Sequence, residues 1–267
     1  MSQILRALIV GIDTYPEDIV HSLRRSKYHA LKWVDLLKER VQPDQLELKV
    51  LINGSATKSN IISGLKDIAS TVCRGDVCFF YYAGHGSREY APKAFRTKEE
   101  KNTLETLVCA DSRTAPGKTD LADKEIAYLI KKIHDNGPVH FASLMDCCFS
   151  GDNNKDDENA ELRRATANQI LSERKMNEFY GEQPFDSTAT ARKGISLAAC
   201  SPDEEARDSV FSEELLKKIV KYNLYCATYR QIVNRVAPDV KGRGQTPDIY
   251  PFDSQLADQP FLGGMLC

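Results

Sequence analysis

Short apolar runs alternate with segments of helical spacing along most of the chain. Each run has the length and composition of a strand that is buried on both faces of a sheet. The segments between the runs place apolar side chains three and four positions apart, as an amphipathic helix does. Strands are predicted at residues 5–11, 46–52, 77–82, 139–145 and 194–200, and helices at residues 26–40, 61–69, 122–134, 210–221 and 226–237.

The order of these elements predicts the fold class. Strands that alternate with helices favour an α/β fold with a mostly parallel sheet, covered by helices on both faces and joined by right-handed connections. Two polar stretches interrupt the alternation. Residues 86–104 predict a loop or a small hairpin. Residues 151–193 are long enough that we expect a functional or disordered segment there.

Length and charge limit the classes of function. The 267 residues suffice for one α/β domain with a full core. Hydrophobic residues make up 42% of the chain and charged residues 28%, which is typical of a soluble globular protein. The net charge of -2 provides no broad basic field, so we expect neither nucleic acid nor an anionic membrane as a partner.

The N-terminus and the cysteines predict a reducing, cytoplasmic location. The first residues lack the layout of a signal peptide, and no apolar run is long enough to span a bilayer. The eight cysteines form no CxxC pair, which argues against a zinc cage or a disulfide framework. Several of them lie within apolar runs, where reduced core cysteines are common.

Candidate chemistry lies where two of the predicted strands end. The strand at 77–82 runs into Ala83-Gly84-His85-Gly86, and the strand at 139–145 runs into Asp146-Cys147-Cys148. Active sites of parallel sheets lie beyond the carboxyl ends of the strands. Because a single crossover joins these two strands, we expect their ends to lie side by side.

A cysteine and a histidine at these ends predict nucleophilic catalysis. Alone, either would be an ordinary core or surface residue, as we interpret His21, His134 and His140. Together they suit thiolate chemistry, because a thiol needs a nearby base and histidine has a pKa of about 6.5. We predict Cys148 as the nucleophile and His85 as its base, with the N–H groups of Gly86 and Cys148 as an oxyanion hole.

The choice of Cys148 over Cys147 follows from the geometry of a strand. Side chains alternate between the two faces, so Asp146 and Cys148 share one side while Cys147 points to the other. Cys147 is therefore interpreted as a core residue.

Several motifs of the chain resemble those of the caspase-like peptidases, most closely the metacaspases and the bacterial orthocaspases. The resemblance extends from about residue 5 to residue 263. A lone GHG motif would be weak evidence, but GHG and DCCxSG in this order, each after an apolar strand, are specific together. The motifs are residues 6–12, 81–86, 146–151, 197–206 and 259–263.

The resemblance implies a fold, a division of the chain and roles for single residues. The fold would be a caspase-like three-layer α/β/α sandwich in one domain, 1–267. Its large-subunit-like part would be 1–150, and its small-subunit-like part 194–267. By position, Cys148 would be the nucleophile and His85 the base, and no metal site is implied.

The resemblance also implies a substrate pocket for the P1 side chain. Asp146 matches one acid of this pocket and Asp208 a second, for which Asp203, Glu204 and Glu205 are nearby alternatives. Two carboxylates favour Arg or Lys at P1. The chain departs from its relatives at His29, which stands where they usually carry an aspartate. A histidine there weakens the preference for a basic P1 residue, more for Lys than for Arg. Phe149 in place of the usual histidine should matter little.

The segment 151–193 carries further candidate features. It contains the basic pairs Arg163-Arg164, Arg174-Lys175 and Arg192-Lys193, so an enzyme that prefers basic P1 residues could cleave itself there. The acidic run at 152–158 could bind Ca²⁺, which activates several metacaspases. Its spacing does not match an EF-hand loop, so we favour a solvated loop and expect no required cofactor.

The leading hypothesis is therefore a monomeric cysteine endopeptidase that acts on protein or peptide substrates. The alternative is a catalytically weak caspase-like module that acts through protein–protein interaction, for which an exposed edge strand would be evidence. A nucleotide-binding domain is a third reading, suggested by Val10-Gly11 at the end of the first strand. The absence of GxGxxG after that strand argues against it.

Overall fold

The architecture follows from a computed structural model, which describes most of the chain. Five helices are defined within the described part: α1 (Ser26–Arg40), α2 (Lys58–Thr71), α3 (Asp123–Asp135), α4 (Val210–Lys221) and α5 (Tyr229–Lys241). The described residues are 2–17, 20–96, 103–147, 174–180, 194–201, 204, 206–207, 210–251 and 255–267.

Within the described residues, six strands form the central sheet in the order β2-β1-β3-β7-β8-β9. Five of them are parallel, and β9 pairs antiparallel with β8 at the edge. A second sheet has the order β4-β5-β6. The strands are β1 (Leu5–Gly11), β2 (Leu46–Ile52), β3 (Val77–Ala83), β4 (Gly86–Tyr90), β5 (Thr103–Leu107), β6 (Leu121–Ala122), β7 (His140–Asp146), β8 (Gly194–Ala198) and β9 (Asp248–Tyr250).

Helices cover both faces of the central sheet. Alternate side chains of β1, such as Ala7 and Ile9, join a cluster with α1, α4 and α5. The side chains between them, Leu8 and Val10, join a second cluster with α2 and α3. Burial on both faces explains why the strands read as continuous apolar runs. The predicted three-layer α/β/α sandwich with a mostly parallel sheet is confirmed.

Some elements differ from the prediction. The polar stretch at 86–104 contains β4 and the start of β5, and these two strands pair antiparallel. Of the two predicted alternatives, a loop or a small hairpin, the hairpin is therefore confirmed. The predicted helix at 226–237 begins later, because the hydroxyl of Thr228 caps α5 by accepting from the Gln231 N–H at 3.2 Å. Strands β6 and β9 were not predicted, since two and three residues are too few for a periodic signal.

One pair of cysteines departs from the predicted reduced state. Cys226 and Cys267 are placed as a disulfide pair, with Cα atoms 5.0 Å apart. The described cysteines that are free are Cys73, Cys78, Cys109, Cys147 and Cys200.

The pH dependence of stability should show a contribution from His140 at the start of β7. Its Nε2 lies 2.7 Å from the Tyr229 hydroxyl, and burial lowers the pKa of its imidazole to about 4. The unfolded chain therefore binds this proton near pH 6.5 while the folded chain does not, so stability falls as pH drops from about 6.5 towards 4. We expect His140→Gln to reduce this loss by on the order of 2 kcal/mol.

Urea denaturation of both proteins at several pH values measures the effect. Their free energies of unfolding should converge as the pH falls, and a constant difference across the range would contradict the assignment.

Candidate active site

The carboxyl ends of β3 and β7 lie side by side, as the sequence predicts. The two strands are parallel neighbours, and Ala83 at the end of β3 pairs with Asp146 at the end of β7. His85 follows its strand end by two residues, and Cys148 follows the other by two residues. Cys148 itself lies outside the described residues. The register therefore brings the starts of the two loops to the spacing of paired strands, about 4.8 Å.

The imidazole of His85 is oriented by a backbone carbonyl from another part of the chain. Its Nε2 lies 2.7 Å from the carbonyl oxygen of His21, and the residue is fully buried. An Nε2–H that donates to this carbonyl sets the tautomer, so that Nδ1 carries the lone pair. His21, which the sequence indicates as an ordinary residue, contacts His85 through both its backbone carbonyl and its ring.

Two tyrosine hydroxyls hold the backbone around His85. The hydroxyl of Tyr15 accepts from the His85 N–H at 3.1 Å and donates to the Val108 carbonyl at 3.2 Å. The hydroxyl of Tyr82 lies 2.8 Å from the His85 carbonyl oxygen and 2.9 Å from that of Val108. Burial raises the pKa of Tyr82, which keeps this hydroxyl protonated as a donor. Nothing in the sequence pattern predicts this tyrosine pair, because its partners come from distant parts of the chain.

Gly84 makes room for these hydroxyls. A Cβ at this position would lie 2.7 Å from the hydroxyl oxygens of both Tyr15 and Tyr82, closer than real Cβ contacts. The first glycine of the motif is therefore required for the close approach of the two side chains to the backbone.

Gly86 begins β4 with its N–H directed away from β5. The Val108 N–H donates to the His85 carbonyl at 2.9 Å, which is one of the two bonds of a hydrogen-bonded pair, while the His85 N–H donates to Tyr15 instead. In an antiparallel ladder such pairs alternate with non-hydrogen-bonded pairs, and the next pair is Gly86 with Leu107. The N–H of Gly86 is thus not used in the ladder, as a donor to a substrate oxygen would require.

Of the two cysteines in the motif, the structure describes Cys147. Cys147 is buried in the apolar cluster with α2 and α3, which confirms its interpretation as a core residue. Asp146 is fully buried at the end of β7.

His29, the predicted pocket residue, lies in the first turn of α1 and is buried. Asp13, which follows β1, accepts from the Ser26 N–H at 2.7 Å and so fixes the start of this helix. Gly11 lets the helix approach closely, since a Cβ there would lie 2.6 Å from the Cβ of Ala30. Gly11 and Ala83 are paired at the carboxyl ends of β1 and β3. The start of the helix therefore lies at the same end of the parallel strands as the histidine loop.

The remaining predicted positions can be placed only in part. Asp208 and the acidic run at 152–158 lie outside the described residues. Among the residues that the structure describes, no group of three or more His, Cys, Asp or Glu side chains could hold a metal ion. No described helix is both long and apolar enough to cross a membrane.

The fold and the histidine-bearing edge define an α/β protein of the caspase-like class. The sequence model of the caspase domain matches residues 4–257, and the chain belongs to this family. The resemblance that the motifs predict is thereby confirmed at the level of the family.

A solved structure supports the same fold. The crystal structure of protein GSU0716 from Geobacter sulfurreducens, a structural genomics target, is similar with a TM-score of 0.67. The sequence identity is 18%, and the similarity covers 97% of this chain and 98% of that chain. At this identity the similarity concerns the fold alone. No curated protein matches the sequence.

The tyrosine pair should contribute measurably to stability. Tyr82→Phe removes a hydroxyl whose single proton is shared between two buried carbonyls, so we expect a loss of about 1 kcal/mol in the free energy of unfolding. In Tyr15→Phe/Tyr82→Phe, the Val108 carbonyl loses both hydroxyl donors, so the combined loss should exceed the sum of the single losses. Urea denaturation and amide exchange at Val108 provide the measurements.

Tyr81→Phe is the matched control, because it removes the hydroxyl that lies 2.8 Å from Ser212 Oγ on the opposite face of the sheet. This variant should leave exchange at Val108 unchanged. Additive losses with unaltered exchange in the double variant would show that the two hydroxyls do not act together.

Proposed function

We propose that this protein is a cysteine endopeptidase of the caspase and metacaspase type, with Cys148 as the nucleophile and His85 as the base. The observation that carries the proposal is the parallel pairing of β3 with β7, in which Ala83 is opposite Asp146. The loops that carry the histidine and the cysteine start from this pair. Membership in the caspase domain family supports the same assignment.

The orientation of His85 suits a base. With the Nε2 proton donated to the His21 carbonyl, Nδ1 can take the proton of the Cys148 thiol. The thiolate then attacks the substrate carbonyl carbon, and the imidazolium returns its proton to the leaving amine. Water, activated by the neutral imidazole, hydrolyses the resulting thioester. The backbone carbonyl of His21 plays the orienting part that a carboxylate plays in other triads.

The negative oxygen of the tetrahedral intermediate needs donors that no other group occupies. We assign this role to the N–H groups of Gly86 and Cys148. The direction of the Gly86 N–H, away from β5, supports its part. Each such donor is worth about 2.7–4 kcal/mol of transition-state stabilisation.

For specificity we propose a basic P1 residue, Arg over Lys, bound by Asp146 and Asp208 with His29 nearby. The support is the burial of Asp146 and the position of α1 at the same edge of the sheet. A planar guanidinium can bind two carboxylates bidentately, which an ammonium cannot do. We further propose a cytoplasmic, monomeric enzyme of the metacaspase or orthocaspase type that requires no cofactor.

One observation favours the alternative of an interaction module. Strand β9 lies at the edge of the described central sheet, and Tyr250 on it is 56% exposed. An edge strand of this kind can pair with another chain. The activity test below distinguishes the two functions.

Peptide hydrolysis tests the proposed chemistry directly. Fluorogenic peptides with Arg, Lys, Asp or Leu at P1, with and without Ca²⁺, should show turnover that is fastest for Arg. Cys148→Ala and His85→Ala should each lower kcat/KM about a thousandfold or more, because the nucleophile and its base act as a unit. Cys147→Ala is the matched control and should retain activity, since Cys147 is buried in the core.

If no peptide is hydrolysed and a thiol-reactive peptide ketone leaves Cys148 unlabelled, the interaction module becomes the better description.

Self-cleavage is a second consequence of a preference for basic P1 residues. The wild-type protein should yield fragments that end within 151–193, and Cys148→Ala should stay intact. Intact-mass spectrometry of both proteins after incubation measures this. An uncut wild type, or equal cutting of both proteins, would exclude self-processing.

A further inference from the structure

A short described stretch of the long segment between β7 and β8 is docked on the protein by a buried arginine. The Arg174 side chain is 1% exposed. Its Nε lies 2.6 Å from Glu89 Oε1, and its Nη1 lies 2.8 Å from Glu125 Oε2. Its Nη2 donates to the Asp120 carbonyl at 2.7 Å. Three nitrogens of one guanidinium thus meet three acceptors from β4, α3 and the loop before β6.

Contacts of the following residues reinforce this docking. The guanidinium carbon of Arg174 lies 4.9 Å from the ring centre of Phe179, and that ring packs at 4.9 Å against Phe95. The Tyr180 N–H donates to Glu125 Oε1 at 2.8 Å, so one carboxylate binds both ends of the stretch. We refer to residues 174–180 as the docked segment.

The acceptors belong to elements that are built without the docked segment. Glu125 also accepts from the Ala122 N–H at 2.9 Å, at the start of α3, and pairs with Lys58 of α2 at 2.9 Å. Glu89 belongs to β4, which starts at Gly86 beside the candidate oxyanion hole. Burial raises the pKa of Glu89 to about 7, while Arg174 favours its ionised form. The site therefore favours a cationic ligand, and a guanidinium there makes two hydrogen bonds through Nη1 and Nη2 and an ion pair with Glu89.

The docking affects one of the three basic pairs in the segment 151–193. Arg174 and Lys175 precede a 3₁₀ turn at Met176–Glu178, and the Arg174 side chain is committed to the buried carboxylates. A protease must draw several residues around the scissile bond into an extended conformation. Cleavage after Arg174 or Lys175 therefore requires the docked segment to leave its site first.

We propose that Glu89, Glu125 and the Asp120 carbonyl form a receptor for a guanidinium group, which holds the docked segment in place and excludes Arg174-Lys175 from processing. Self-processing then uses the other basic pairs. A cut N-terminal to the docked segment turns it into a noncovalent link between the two fragments. The statement about self-processing rests on the proposed function, whereas the docking does not.

Limited trypsin digestion tests the docking without relying on the protein's own activity. In a Cys148→Ala background, the bonds after Arg174 and Lys175 should resist cleavage until the core unfolds. Arg174→Ala should raise the rate of cleavage after Lys175 about tenfold or more, because the segment loses its ion pairs with Glu89 and Glu125. Glu89→Gln should raise that rate to a smaller extent. Mass spectrometry of the early fragments provides the rates.

Two controls make the result specific. Arg230→Ala removes an arginine of a surface ion pair with Asp258 and should leave the rate after Lys175 unchanged. Millimolar methylguanidinium should restore resistance to Arg174→Ala but not to Arg174→Ala/Glu89→Gln, whereas tetramethylammonium should restore neither. If Arg174→Ala does not fold, trypsin will also cut helix α3 after Lys131 at once, and the wild type and Glu89→Gln then decide the question.

Early trypsin cleavage of the folded wild type after Arg174 or Lys175 would contradict the proposed receptor. An unchanged rate of trypsin cleavage after Lys175 in Arg174→Ala would contradict it as well. The active protein supplies a separate readout. Self-cleavage fragments of the wild type should never end at 174 or 175, and Arg174→Ala should gain an end at Lys175. If the segment resists trypsin but the protein never cleaves itself, the proposed receptor stands and the proposed peptidase function is wrong. Wild-type fragments that end at 174 or 175 would keep the peptidase and reject the receptor's role in processing.

Discussion

The parallel pairing of β3 with β7 is the constraint on which the rest of the site depends. Backbone hydrogen bonds between these strands set the register in which Ala83 is opposite Asp146. A shift of this register by one residue would move every side chain of one strand to the other face of the sheet. Both strands are packed on both faces, which resists such a shift. The points at which the histidine and cysteine loops begin are therefore positioned by the core.

Around His85, buried polar groups are matched to one another rather than exposed to solvent. The backbone of this loop could not be buried unless its N–H and carbonyl groups found partners. Tyr15 and Tyr82 supply two of these partners, and the His21 carbonyl orients the imidazole. Tyr15 and His21 lie in the segment after β1, whereas Tyr82 lies in β3, just before the loop. A fixed imidazole of defined tautomer is the result, and this is what a catalytic base requires.

The same rule governs the buried charges beside the second sheet. Glu89 and Glu125 are carboxylates in a poorly hydrated region, and their burial is compensated by Arg174 and Lys58. This network connects β4, which continues directly from the histidine motif, with the segment that follows the cysteine motif. Ion pairs of Arg174 with Glu89 and Glu125 therefore hold these two parts of the chain together, in addition to the shared core.

The amino-acid sequence by itself determined the main strands and helices, the class of fold and the core position of Cys147. The spacing of apolar residues indicates which face of a helix or strand is buried, and this information is sufficient to predict these features. The motifs around His85 and Cys148 also sufficed for the resemblance to the caspase family, which the family model confirms.

Only the tertiary structure decided which residues from distant parts of the chain support the site. The His21 carbonyl is contributed by the backbone, so no residue type signals its role. Tyr15 and Arg174 acquire their partners across long stretches of sequence. The strand β9 and the pairing of Cys226 with Cys267 likewise depend on how distant segments meet. Local pattern encodes which faces are buried, whereas partners across the fold are set by packing, and for that reason these features had to be found in the structure.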